Sequence, residues 1–225
     1  MLKNFNLTLK NRSITAVIGR NGAGKTTYSN LLLRLYDTES GEISINGVSM
    51  RRINPINLRK YISVLTQENF LIDSFSIREN LLLGVNREVS EEELKKLMEK
   101  FMFLEKIQSM PKGLDTILGD DIQLSGGQRQ LLSIMRIYLQ ARPIIIFDEG
   151  TNQLDAEHEG MVMNLLQEMK VRSTILMITH KLTSARRADQ IYVLDDGHIT
   201  ESGTHTELLE KNGFYSKFWK LQVID

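Results

Sequence analysis

The residues Gly19-Arg20-Asn21-Gly22-Ala23-Gly24-Lys25-Thr26 have the spacing G-x-x-x-x-G-K-[ST]. Glycines at these positions let a backbone curl until successive N–H groups point inward at phosphate oxygens. The start of a following helix adds partial positive charge. Lys25 supplies a full charge for terminal phosphates, and the Thr26 hydroxyl suits Mg²⁺. The candidate phosphate-contacting set is therefore Gly19, Asn21, Gly22, Ala23, Gly24, Lys25, Thr26 and Thr27. A glycine-rich turn that held no ligand would need neither Lys25 nor Thr26.

Two carboxylates, Asp148-Glu149, end the apolar run Ile144-Ile145-Ile146-Phe147. Carboxylates are tolerated there only if the strand end opens on a polar site. Asp148 is placed to hold Mg²⁺ through a water. Alternation along an extended chain turns Glu149 another way, to accept a proton from an attacking water. Gln67 ends the run Tyr61–Thr66, with a carbonyl for the metal and an amide for that water. The metal set is thus Thr26, Gln67 and Asp148. His180 ends the run Thr174–Thr179 and is placed to reach a γ-phosphate. The catalytic set is Glu149, His180 and Gln67. His158, His198 and His205 read as structural.

A second anion site is expected at Leu124-Ser125-Gly126-Gly127-Gln128, where Ser125 is a plausible N-cap and the first amides of a helix are free. One chain thus carries two phosphate-seeking helix starts. A head-to-tail pair of chains would let each complete the other's nucleotide.

These residues need strands and helices to place them. Ile14–Ile18 is more continuously apolar, as in a buried parallel strand, and Thr27–Leu35 follows as a helix with Leu31, Leu32 and Leu35 inward. Phe5, Leu7 and Leu9 alternate like a half-buried strand, and Glu42–Asn46 alternates into an Asn46-Gly47 hairpin. Ser76-x-x-Glu79 and Ser90-x-x-Glu93 read as capping boxes, the second before Leu94, Leu97, Met98, Phe101 and Leu104 at helical spacing. Asp155 caps a helix with Met161, Val162, Leu165, Leu166 and Met169 inward, and a closing hairpin turns at Asp196-Gly197. The expected class is α/β: a mainly parallel sheet with a small antiparallel β-subdomain and an inserted helical subdomain. Residues 71–135 form the helical subdomain; 1–70 and 136–225 form the core and β-subdomain. In such sheets ligands sit at the carboxyl ends of the strands, where Gly19, Gln67, Asp148 and His180 all fall.

Lysines and arginines number 28, and so do aspartates and glutamates, which argues against a nucleic-acid partner bound by bulk charge. Cysteine is absent, which removes disulfides and thiolate chemistry. No apolar run approaches the ~20 residues of a membrane span. The N-terminus lacks the apolar core of a signal peptide. The chain reads as a soluble cytosolic domain.

The set Gly19–Thr26, Gln67, Leu124–Gln128, Ile144–Glu149, Leu154-Asp155 and His180 resembles the nucleotide-binding domain of ABC transporters across essentially the whole chain. The resemblance implies a P-loop NTPase core and ATP hydrolysis, with ATP and Mg²⁺ bound. It implies a second ABC domain as partner, in a homo- or heterodimer. Ser125, Gly127 and Gln128 would act in trans on the partner's ATP. The segments Met110–Thr116 and Asp196–His205 look like the exporter branch. That implies a transmembrane domain fused upstream and work at the cytoplasmic face of the membrane. It also implies that an adenine-stacking strand lies upstream of Met1, so that the chain is the tail of a longer polypeptide. Two segments depart from the family pattern. Gly119-Asp120-Asp121-Ile122 stands where exporters carry Gly-Glu-x-Gly, and Gly150-Thr151-Asn152-Gln153-Leu154-Asp155 stands where Ala-Thr-Ser-Ala-Leu-Asp is usual. The rival readings are a soluble, non-transport ABC ATPase and a nucleotide-gated dimerisation module.

Overall fold

The computed structural model describes residues 2–20, 22–66 and 70–223. Asn21 and Gln67 lie outside the described residues. Strand β1 (Ile14–Gly19) runs into helix α1 (Lys25–Leu32), followed by β2 (Ser44–Ile45), β3 (Val48–Ser49), α2 (Pro55–Arg59) and β4 (Ile62–Leu65). Four helices come next: α3 (Ile77–Leu82), α4 (Glu91–Lys100), α5 (Leu104–Gln108) and α6 (Gly126–Gln140). The chain then alternates through β5 (Ile144–Asp148), α7 (Ala156–Met169), β6 (Thr174–Ile178) and α8 (Leu182–Ala185). It closes with β7 (Gln190–Asp195), β8 (His198–Gly203), α9 (His205–Glu210) and α10 (Phe214–Val223).

Contacts divide the chain into two compact units. The sheet unit holds the residues up to Val64, Arg142–Glu149 and those from Leu166 on. The helical unit holds Leu65–Ala141 and Gly150–Leu165, so the division falls within α7.

In the sheet unit the strand order is β4-β5-β6-β1-β7-β8. Strand β1 lies between β6 and β7, parallel to both. It is buried along both faces, which is why Ile14 to Ile18 shows no polar alternation. Val17 and Asp148 are both in register with Ile178. The loop after β1, the Asp148-Glu149 pair and the Thr179-His180 pair therefore leave the sheet at one edge. Val17, Ile146, Leu176, Ile178 and Leu194 pack with Tyr28, Met50 and Leu58 into one core. Each such side chain contributes roughly 1.5–3 kcal/mol on full burial. Both turns foreseen from Asx-Gly pairs form, with positive φ at Asn46, Gly47, Asp196 and Gly197.

In the helical unit Ser76 and Glu79 close a reciprocal capping box on α3. Arg78 ties Asp115 at 2.7 Å and also pairs with Glu91. Leu94, Leu97, Met98 and Phe101 are buried as their spacing predicts.

Four expectations need correction. Phe5, Leu7 and Leu9 form no strand; their half-buried alternation comes from side chains packed on the core, with no ladder beside them. Leu35 is exposed, because α1 ends at Leu32 and Arg34 turns left-handed at φ 49°. Ser90 caps α4 by accepting the Glu93 N–H, but the box is not closed. Arg87 holds the Glu93 carboxylate instead. Glu149 is not turned by strand alternation: its φ is 52°, so a left-handed backbone aims its side chain.

Candidate active site

Each glycine of the first loop has its own reason to be there. A side chain on Gly19 would lie 2.2 Å from the Leu194 carbonyl oxygen, backbone of the adjacent strand β7. Gly22 (φ 80°) and Gly24 (φ 104°) hold left-handed conformations that L side chains rarely adopt. Gly24 is also the N-cap of α1 and places no side chain over the helix start. Ala23 N–H donates to Arg20 O at 3.2 Å, closing the turn beneath the loop.

Lys25 is buried, and its ammonium donates to Gly19 O at 2.7 Å and Arg20 O at 3.0 Å. Burial lowers its pKa, against the opposing pull of Glu149 and Asp148. The cation is thus folded back on loop carbonyls and poorly neutralised, a state that favours an arriving anion. Thr26 and Thr27 are exposed on the first turn of α1.

Ser29, one turn further on, was not singled out by its spacing. Its hydroxyl donates to Thr26 O at 3.0 Å and lies 3.5 Å from Asp148 Oδ2. It joins the helix start to the end of β5. A serine on the buried face of a helix, three residues after Thr26, is the signal that could have found it. Asp148 has its pKa raised, first by burial and then by the charge of Glu149. A half-buried carboxylate beside the Ser29 hydroxyl offers hard oxygen donors, a charge that a divalent cation would relieve. Among the described residues no cluster of three or more His, Cys, Asp or Glu could hold a metal by itself. The residues present fit Mg²⁺, which keeps several waters and takes phosphate oxygens as ligands.

Glu149 N–H donates to Ile178 O at 2.8 Å, so its strained backbone is tied to β6. His180 Nδ1 lies 3.6 Å from Glu149 Oε1; the glutamate is mostly buried and the imidazole half-exposed. The sheet unit thus gathers Gly19, Gly22, Ala23, Gly24, Lys25, Thr26, Thr27, Asp148, Glu149 and His180 around one edge.

Ser125, Gly127 and Gln128 belong to the helical unit. Ser125 Oγ accepts the Gln128 N–H at 3.2 Å, and Gln128 Oε1 accepts the Ser125 N–H at 3.0 Å. That capping box engages two groups expected to meet a ligand, and leaves the Gly126 and Gly127 amides without an acceptor inside the helix. Both glycines are set by a close neighbour. A side chain on Gly126 would lie 2.6 Å from Gln153 Oε1, and one on Gly127 would lie 2.8 Å from the Gln153 carbonyl oxygen. Gln153 N–H in turn donates to Gln130 Oε1 at 3.0 Å. Asp155 caps α7: its Oδ1 accepts the His158 N–H at 2.9 Å.

A parallel sheet that brings a glycine-rich loop, a lysine, two carboxylates and a histidine to one edge defines the phosphate-loop class of nucleotide-binding folds. The family model described as ABC transporter matches residues 2–152, more than half of the chain, and the chain belongs to that family. It is 38% identical over 224 residues to an ATP-dependent lipid A-core flippase of Pseudoalteromonas translucida, covering 99% of this chain and 38% of the relative. It is 40% identical over 228 residues to an uncharacterized ABC transporter ATP-binding protein of Haemophilus influenzae, covering 99% of this chain and 37% of the relative. The chain therefore spans less than two-fifths of the length of these curated relatives. Its fold matches a bacterial Atm1-family ABC exporter with ATP bound at a TM-score of 0.91 and 30% identity, over 99% of this chain and 39% of that one. Among the described residues no helix is long and apolar enough to cross a membrane.

Proposed function

We propose that this chain is the ATP-hydrolysing motor domain of an ABC exporter and works as a head-to-tail dimer at the cytoplasmic face of a membrane. The observation that carries the reading is the edge of the sheet unit, where Lys25, Asp148, Glu149 and His180 meet behind an uncapped helix start. Lys25 would exchange the Gly19 and Arg20 carbonyls for the terminal phosphates of ATP. Thr26 and Asp148, with Gln67, would hold Mg²⁺, which neutralises charge on the phosphates when bound. Glu149 would accept the proton of the attacking water, and His180 would steady the γ-phosphate beside it. Two carboxylates keep separate roles because Asp148 continues β5 while Glu149 leaves it in a left-handed turn.

The second helix start would serve the partner chain's nucleotide through Ser125, Gly127 and Gln128. Relatives named as flippases and an exporter of the same fold support coupling to a transmembrane domain. Cargo selection would lie in that domain.

The test is Glu149→Gln, compared with the unsubstituted chain for phosphate release and for elution from a sizing column with ATP and Mg²⁺. Hydrolysis is expected to fall about 10²–10⁴-fold. The variant is expected to elute as a dimer with ATP while the unsubstituted chain does not accumulate one. Unchanged hydrolysis would remove Glu149 from its role.

A further inference from the structure

Helix α10 carries a glutamine whose two polar atoms both reach the backbone that presents His180. Gln222 Nε2 donates to His180 O at 3.1 Å, and Gln222 Oε1 accepts the Leu182 N–H at 3.0 Å. The pairing fixes the amide, because the carbonyl can only accept and the N–H can only donate. Helix α8 begins at Leu182, and its N-cap, Lys181, makes no side-chain bond to the helix start. Gln222 supplies that missing cap from forty residues away. Thr179 Oγ1 accepts the Lys181 N–H at 3.0 Å, so each residue from His180 to Leu182 has a backbone group held.

The helix that delivers Gln222 is itself firmly seated on the sheet unit. Tyr215 is fully buried, and its hydroxyl meets His205 Nδ1 at 2.7 Å. Trp219 packs against the His205 ring at 4.5 Å, with the Arg186 guanidinium 5.9 Å from the indole. At its other end Phe214 lies 5.4 Å from the guanidinium of Arg20, the residue whose carbonyl holds Lys25. One helix therefore touches the Arg20 side chain of the phosphate loop and the backbone of the histidine that faces Glu149.

We propose that Gln222 is a positioning residue for hydrolysis: it sets His180 against Glu149 through the 180–182 backbone, with α10 as the clamp that holds it there. This rests on the ATPase reading above. Removing only the Gln222 amide uncouples ATP binding from hydrolysis, because Lys25 keeps its bonds to the Gly19 and Arg20 carbonyls.

The experiment is Gln222→Met, which keeps the side-chain length and removes both hydrogen bonds. kcat for ATP is expected to fall about tenfold to a hundredfold, the scale of a small misplacement of a reacting group, with KM unchanged. The chain has four histidines, so their imidazole resonances can be followed one by one. The His180 resonance is expected to shift, while His205, packed on α10, stays in place. An unchanged kcat, an unmoved His180 resonance, or a His205 resonance that moves as well would each overturn the proposal; the last would mean that α10 had simply come away. If the unsubstituted chain hydrolyses no ATP, the ATPase reading fails instead.

Discussion

At the start of α1 the N-cap is a left-handed glycine with no side chain over the helix end, whereas at the start of α6 Ser125 and Gln128 close on each other's amides. The two stretches look alike as sequence: glycines, a hydroxyl residue, then a helix. Physically they are opposites. The first is open: no side chain caps it, and Lys25 is parked on its own loop carbonyls. The second is closed by its own side chains and shaped by Gln153. An open start can take an anion once Lys25 leaves its loop carbonyls, while a capped one offers only Gly126 and Gly127 until Ser125 and Gln128 let go.

The largest expected effect separates the two starts by function. Lys25→Ala removes the buried ammonium of the open start. It should abolish nucleotide binding by the single chain and lower phosphate release by at least about 10²–10³-fold. Ser125→Ala should leave nucleotide binding by the single chain intact while lowering phosphate release, since its ligand would belong to the partner. Binding by equilibrium dialysis and release assays on both variants check this; equal loss of binding in the two would break the comparison.

A smaller effect tests what shapes the closed start. A side chain at Gly127 meets the Gln153 carbonyl, which is backbone and cannot swing aside. Gly127→Ala should therefore cost about 1–3 kcal/mol in urea unfolding. A side chain at Gly126 meets only the tip of the Gln153 side chain, which can rotate away. Gly126→Ala should stay within about 0.5 kcal/mol, helped by the better helix propensity of alanine. Reversed magnitudes would mean that Gln153 does not shape this helix start.

The smallest effect has the opposite sign. Burial and the charge of Glu149 raise the Asp148 pKa in the folded chain. A raised carboxylate adds stability that is complete below its unfolded pKa and is lost as pH rises through the folded one. At neutral pH the ionised Asp148 is therefore a burden on the fold. Asp148→Asn should raise the urea midpoint at pH 7 and lose that advantage in acid. A lower midpoint at pH 7 would contradict the assigned strain.

Much of this was legible because apolar runs and punctuation agree. Ile14–Ile18 had to be a buried strand, and Lys25, Asp148, Glu149 and His180 follow from strand ends. What the sequence could not show has specific causes. Glu149 itself takes the left-handed backbone that a sequence reading would assign to the adjacent Gly150. Ser29 acts by facing inward, a matter of helix phase rather than motif. Gln153 and Gln222 work through contacts whose partners lie far along the chain. Phe5, Leu7 and Leu9 alternate correctly but have no ladder beside them, so periodicity alone overstated a strand.

The central claim is that each active site takes its open start from one chain and its closed start from another. Mixing the Lys25→Ala chain with the Ser125→Ala chain tests it most directly. A mixed pair would contain one site with both Lys25 and Ser125 intact. Phosphate release, lowered in each variant alone, should return in the mixture and rise with total chain concentration. A mixture as inactive as its components, while both still bind the other chain, would contradict it.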